Sequence, residues 1–275
     1  MKRSQLSYAI WPWGTKTREQ AIEAAKDIAA IGYTSLEATK GAMYAYDLDH
    51  KEYKAMLDGY GLRAVSFFFG IPGVGNEAAL FDTLEAELDF AANAGARLVT
   101  LQGTFGRPEV MDEAARAQNL ESMNRFARIA KTFGLKTNVH PHVNTYFMFE
   151  DEIDYVMENS DGDLISFAPD TGHIAAAGAD PVALIARYAD RVGFTHLKDY
   201  KLGAENGKAC WVGTGLPIMS CFHPIGEGVL NFPRILAILD SVGYADPLGV
   251  ELDSAASNAE GAKKNYEYLC QYIGD

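Results

Sequence analysis

Short apolar, β-branched runs alternate with longer stretches of helical period along the whole chain, and this alternation limits the fold more than any other feature. A strand followed by a helix and then by another strand must cross over and pair in parallel, so repetition of the unit builds a parallel sheet covered by helices. Eight strand candidates can be counted: Leu6–Ile10, Ser35–Ala38, Ala64–Phe68, Arg97–Leu101, Lys136–His140, Leu164–Ala168, Gly193–Leu197 and Leu248–Leu252. Between them the helical period is plain in Arg18–Ile31, where Ala21, Ile22, Ala25, Ile28 and Ala29 fall on one face. Gly32, Gly95 and Gly134 follow three of the helices where a left-handed residue would release the chain into the next strand.

Eight such units either close into a barrel or spread into a doubly wound open sheet. An open sheet usually carries a glycine-rich phosphate loop after its first strand, whereas here that strand runs into Trp11-Pro12-Trp13-Gly14. The expected fold is therefore an α/β chain forming a single (β/α)8 TIM-barrel domain over residues 1–275, a typical length for that fold, with its active site at the C-terminal face of the strands. The connection from Lys201 to Gly228 is unusually long and holds six glycines, two cysteines and Trp211. Loops of this length generally cover a site or an interface. It is expected to lie over the catalytic face as a lid or as a partner-binding segment.

A formal charge of −13 argues against binding to a phosphate backbone, which normally needs a basic footprint. No run of about 18 apolar residues is present to span a membrane. The first residues lack the apolar core of a signal peptide, so the expected setting is the cytoplasm. Cys210, Cys221 and Cys270 are odd in number and widely spaced, and are read as reduced thiols.

In a (β/α)8 barrel the polar residues at the strand C-termini converge, so chemistry is sought there. The fifth strand ends in Asn138-Val139-His140-Pro141-His142 and is followed in the sixth by Pro169-Asp170-Thr171-Gly172-His173. The seventh supplies His196-Leu197-Lys198-Asp199 and the eighth Glu251-Leu252-Asp253. Imidazole and carboxylate ligands without thiolate suit manganese, cobalt, magnesium or zinc. Strand alternation points His196 and Lys198 to the same inward side, and an inward charge needs a metal, a partner or a substrate. Asp170 could instead cap the following turn, and Lys198 could pair with an acid. Glu37 and Gln102, at the ends of the second and fourth strands, are candidates for substrate contact or for hydrogen bonds across the barrel end. Trp11 and Trp13 could stack on a sugar ring, although aromatics in such places, Phe67, Phe68 and Phe69 included, more often form wall.

At these motifs the chain resembles the sugar phosphate isomerase/epimerase superfamily of xylose-isomerase-like barrels over nearly its whole length. The matching stretches are Pro169–His173, His196–Asp199, Pro224-Ile225-Gly226-Glu227-Gly228 leading into Asn231-Phe232, and Val250-Glu251. His140-Pro141-His142 with Glu150–Asp154 is most similar to inosose dehydratases and their relatives. The resemblance implies a divalent metal, foremost manganese, held by an acid on the fifth strand, Asp170, His196 and Glu251. The fifth strand offers Asn138 in place of the glutamate common there, and Met148 stands near another position where dehydratase-like members place a glutamate. His142 is then the expected fourth ligand, with His140 as its alternative.

The implied activity is that of an isomerase, epimerase, dehydratase or lyase removing a proton next to the carbonyl of a sugar, keto-sugar or keto-cyclitol, through an enediolate. Glu251, His173 and Lys198 are the catalytic candidates. Trp11, Trp13, Glu37, Gln102, His140 and Glu227 are the candidates for substrate binding. The missing carboxylate tilts the choice toward elimination, because a two-base epimerase needs an acid on each face. The expected assembly is a homo-oligomer. A subunit of a hetero-oligomeric sugar lyase and a sugar-binding barrel without metal are the other readings, whereas a metal-cluster endonuclease conflicts with the acidic charge.

Overall fold

The computed structural model describes all residues except Thr15, Val74, Gly75, Glu109, those numbered 202–220, and Ser254. The strands are β1 (Leu6–Ala9), β2 (Ser35–Thr39), β3 (Arg63–Gly70), β4 (Leu98–Gln102), β5 (Lys136–His140), β6 (Ile165–Phe167), β7 (Asp199–Tyr200), β8 (Phe222–His223) and β9 (Leu248–Val250). Seven of them form one parallel sheet in the order β6-β5-β4-β3-β2-β1-β9. Their side chains are almost all buried, as expected for strands covered on both faces.

The sheet closes into a TIM barrel through the segment 192–197, which fills the eighth place without forming a regular strand. Pro169 has no N–H to offer a ladder, so β6 stops at Phe167. Contact is made instead by separate bridges: Phe167 with Val192, Asp170 with His196, and Leu197 with Val250. The backbone bonds are His196 N–H to Pro169 O at 2.9 Å, Thr171 N–H to His196 O at 3.1 Å and Leu197 N–H to Gly249 O at 2.8 Å. The expected seventh strand, Gly193–Leu197, is thus a seam of single bridges, and the residues in regular pairing begin only at Asp199. There β7 pairs antiparallel with β8, on the far side of the long connection. The lid expected over 201–228 falls mostly on residues 202–220, outside the described residues.

Gly249 lets the seam close. A Cβ there would stand 2.0 Å from the carbonyl oxygen of Thr195 and 2.7 Å from the Phe194 ring, and backbone cannot yield as a flexible side chain can. Gly249→Ala is expected to cost about 3 kcal/mol or more, the upper end for overpacking, read from the denaturation midpoint. An unchanged midpoint would mean that the seam is looser than these distances.

The helix Arg18–Ile31 has the expected bounds and is capped by Thr17, whose hydroxyl accepts the N–H of Gln20. Its buried residues are Ala21, Ala24, Ala25 and Ile28, whereas Ile22 is 38% exposed. Ile22 sits about 100° around the helix from Ala21, so Ala24 takes the inward place assigned to it. Gly32, Gly95 and Gly134 all have positive φ, as their place after helices requires. Cys270 has a free thiol, but Cys221 is disulfide-bonded, which corrects the reading of three reduced cysteines. No helix among the described residues is long and apolar enough to cross a membrane.

Candidate active site

The motif Asp170-Thr171-Gly172-His173 uses each residue separately. Asp170 caps the short helix Thr171–Ala176, its Oδ1 accepting the His173 N–H at 2.7 Å, while Oδ2 has no hydrogen-bond partner. The helix-cap reading is therefore correct for one oxygen and leaves the other without a hydrogen bond, 3.2 Å from Lys198 Nζ. Thr171 donates its hydroxyl to Lys198 O at 2.7 Å and accepts the Lys198 N–H at 2.9 Å. Gly172 leaves room for the Lys198 stem, which a Cβ would meet at 3.0 Å. His173 is 1% exposed, and neither of its ring nitrogens has a partner.

Lys198 is wholly buried and serves three carboxylates. Its Nζ lies 2.5 Å from Glu251 Oε1, 2.7 Å from Asp253 Oδ2 and 3.2 Å from Asp170 Oδ2, and 4.5 Å from the centre of the Phe222 ring. Burial works against its charge, but Asp170, Asp253 and Glu251 outweigh that and raise its pKa. Burial pushes the Asp170 carboxyl up to about 6, with Lys198 opposing.

His196 lies between two acids. Its Nε2 is 2.6 Å from Glu37 Oε2, and its Nδ1 is 2.8 Å from Glu251 Oε2 and 3.9 Å from Asp170 Oδ2. The Nδ1 and Glu251 Oε2 atoms are close but not aligned as a hydrogen bond, and both stay unsatisfied. Burial disfavours its charge, yet Glu37 and Glu251 prevail and push its pKa up to about 10. His140, His142 and His173 go the other way: burial lowers each pKa, with neighbouring imidazoles or Lys198 adding to it, so these three rings are neutral. His140 has its ring centre 4.5 Å from that of His196 and its Nε2 4.0 Å from Asp170 Oδ2.

Ligand atoms of His140, Asp170 and His196 lie within 4.8 Å of one another, and Glu251 Oε2 lies 2.8 Å from His196 Nδ1. Two atoms each about 2.1 Å from a shared ion stand at most about 4.2 Å apart, and Asp170 Oδ2 meets that limit with His140 Nε2 at 4.0 Å and with His196 Nδ1 at 3.9 Å, which suits a divalent cation. Buried lone pairs without partners are costly unless something completes them. His142 stands one ring further out: its centre is 3.8 Å from that of His173, and its Nδ1 is 2.7 Å from Val143 O. The imidazole facing Asp170 and His196 is therefore His140. Asn138 lies two residues down the same strand, where its amide donates to Lys136 O at 3.2 Å, and Met148 is buried in the apolar cluster that also holds Phe222.

Of the remaining candidates, Trp11 has its ring centre 5.6 Å from His196 and 5.4 Å from Phe68, forming wall at the site. Gln102 is paired in register with His140 at the same rim. Trp13 is turned away, donating its indole N–H to Asp27 at 2.9 Å. Glu227 is half exposed and paired with Lys264 at 2.8 Å, outside this cluster. The conspicuous glycines around it serve Asp199, whose carboxylate accepts the N–H groups of Tyr200, Gly226, Gly228 and Leu230 at 2.8–3.1 Å. Sequence reasoning passed over Asp253 and Phe222. Asp253 had a usable signal, two residues past Glu251 on an extended chain; Phe222, in the long connection, had none.

Residues 25–272 match the family model of the xylose isomerase-like TIM barrel. The inosose dehydratase of Geobacillus thermodenitrificans is 27% identical over 281 residues, covering 95% of this chain and 91% of that protein. The inosose dehydratase of Clostridium beijerinckii is 31% identical over 159 residues, which span 56% of this chain and about half of that protein, 53%. Among solved structures, a xylose isomerase-like TIM barrel protein from Mycobacterium smegmatis in complex with magnesium superposes with a TM-score of 0.77 at 17% identity, covering 97% of this chain and 95% of that one. The chain belongs to the xylose isomerase-like TIM barrel family.

Proposed function

We propose that this enzyme is a divalent-metal-dependent dehydratase of a keto-cyclitol or a related keto-sugar. The observation that carries the reading is the group of buried atoms Asp170 Oδ2, His196 Nδ1 and Glu251 Oε2 without a hydrogen bond, with His140 Nε2 4.0 Å from Asp170 Oδ2. The similarity to two inosose dehydratases supports a keto-cyclitol as the substrate class. These four residues would hold the ion, manganese foremost and magnesium, cobalt or zinc as alternatives, which when bound would polarise the substrate carbonyl and acidify the neighbouring C–H.

The chain's own groups account for the rest. His173 is neutral and has both ring nitrogens free, so it can accept the proton from carbon. Lys198 stays charged and offsets negative charge growing on the substrate oxygen. Elimination breaks the C–H bond and the β C–O bond and forms a C=C bond. Return of the His173 proton to the departing hydroxyl releases water and restores the ring. Trp11, Phe68 and Phe222 supply apolar wall that excludes bulk water.

The test is metal content by elemental mass spectrometry together with dehydration of an inosose followed in the ultraviolet. About one ion per chain and metal-dependent formation of an unsaturated ketone are expected. An ion entering at His196 must displace a proton held up to a pKa of about 10. Below that value the ring carries the proton, so apparent metal affinity is expected to rise about tenfold per pH unit between roughly pH 7 and 10 and to level off above. Absence of bound metal after reconstitution, or an affinity indifferent to pH, would remove this reading.

A further inference from the structure

We infer that Glu37, anchored by Ser66 and Thr100, is a positioning residue that dictates which nitrogen of His196 is available to an ion; the inference rests on the metal site proposed above. Glu37 is 1% exposed and its carboxylate is fully engaged, which leaves no room for the substrate contact expected at this position. Its Oε2 faces His196 Nε2 at 2.6 Å. A carboxylate only accepts hydrogen bonds, so Nε2 must carry the proton and the lone pair of a neutral ring is confined to Nδ1. Nδ1 is the atom turned toward Asp170 Oδ2 and Glu251 Oε2.

The other oxygen prevents the carboxylate from turning. Glu37 Oε1 accepts the Ser66 hydroxyl at 2.8 Å and the Thr100 hydroxyl at 2.5 Å, and these two hydroxyls lie 3.0 Å from each other. Three neighbouring strands, β2, β3 and β4, are thus braced across the barrel interior to one imidazole at the seam. Pro169 O and Thr171 N–H hold the backbone of His196 at the seam, and the brace fixes the imidazole that this backbone carries. An anionic acceptor behind a ligating imidazole also raises its basicity toward the ion, and loss of such partners commonly costs 10–100-fold in metal affinity.

The test uses zinc alone as probe, on the whole chain. Zinc affinity by chelator competition is compared between wild type and Glu37→Gln, and histidine 15N resonances are recorded on the zinc-loaded proteins. A carboxamide can present either its oxygen or its NH2 to His196, so the tautomer is no longer dictated. The expected result is His196 bound through Nδ1 with a slowly exchanging Nε2–H in wild type, and a 10–100-fold weaker affinity with loss of that protected proton in Glu37→Gln. Should that variant not fold, Thr100→Val removes one anchor and is expected to weaken zinc several-fold. Affinity within twofold of wild type in the folded variant, or binding through Nε2, overturns the role of Glu37 and leaves the metal site standing. A wild type that takes up no zinc, manganese or magnesium overturns the metal site itself, and this inference with it.

Discussion

Asp170→Asn is expected to lower metal affinity by about 100-fold or more, and turnover by about 1,000-fold, while costing the metal-free fold less than loss of a whole buried ion pair, because Lys198 keeps Glu251 and Asp253. The separation of the two effects comes from the two oxygens of the side chain. Oδ1 caps the helix Thr171–Ala176, and an asparagine Oδ1 can accept the His173 N–H equally well. Oδ2 makes no hydrogen bond and faces His140, His196 and, at 3.2 Å, the Lys198 ammonium, and an NH2 there offers no lone pair to a cation. Loss of a direct ligand should exceed the 10–100-fold cost of removing an outer partner. Loss of several kcal/mol of charge stabilisation accounts for the expected drop in rate. The check is a metal titration and a thermal melt of the metal-free protein on the same preparation. Affinity that survives the substitution would exclude Asp170 as a ligand; a collapsed melt would show that Oδ2 has a structural role as well.

Lys198→Met should have the opposite profile, with a large effect on the metal-free protein that metal partly repairs. The substitution keeps the stem's volume but leaves Asp170, Glu251 and Asp253 without their shared cation. Removing one partner of a buried ion pair costs about 3–5 kcal/mol. The sign with pH follows from the carboxylate. Burial already raises Asp170 to about 6 with Lys198 present, and without Lys198 it must move higher. A carboxyl whose folded pKa lies above its unfolded value loses stability as pH climbs from about 4 toward the folded pKa, and the deficit stays constant above it. The variant is therefore expected to be least impaired near pH 4–5 and most impaired at neutral pH. An added divalent ion at 100 times its dissociation constant should restore about 2.7 kcal/mol. Denaturation curves at pH 5 and pH 7.5, with and without manganese, measure all of this. A deficit independent of pH and metal would mean that Lys198 acts through packing alone.

Much of the site was legible because strand alternation acts within a single element. His196 and Lys198, two apart, face inward together, and so do Glu251 and Asp253 at the next strand end. The run from Asp170 to His173 shows a carboxylate at a helix start, where capping is a local requirement of the backbone. The choice between His140 and His142 was not legible. Both have the same parity, but β5 ends at His140 and the chain then turns at Pro141, so only the first keeps the strand's inward direction. Trp13 and Glu227 were misplaced for a related reason. Each lies in a connection, and nothing local says whether a side chain in a loop turns to the rim or outward to Asp27 or Lys264.

The order of strands and helices, the glycines that end the helices, and the carboxylate and imidazole types at the strand ends were determined by the sequence alone, because they follow from hydrogen bonds and periodicity over a few neighbouring residues. Tertiary structure decided that the seventh place is a seam held by single bridges, that Glu37 backs His196 from 159 residues away, and that one lysine ties together three acids. These depend on the stagger of strands around a closed barrel, a distance relation between remote segments that no local pattern encodes.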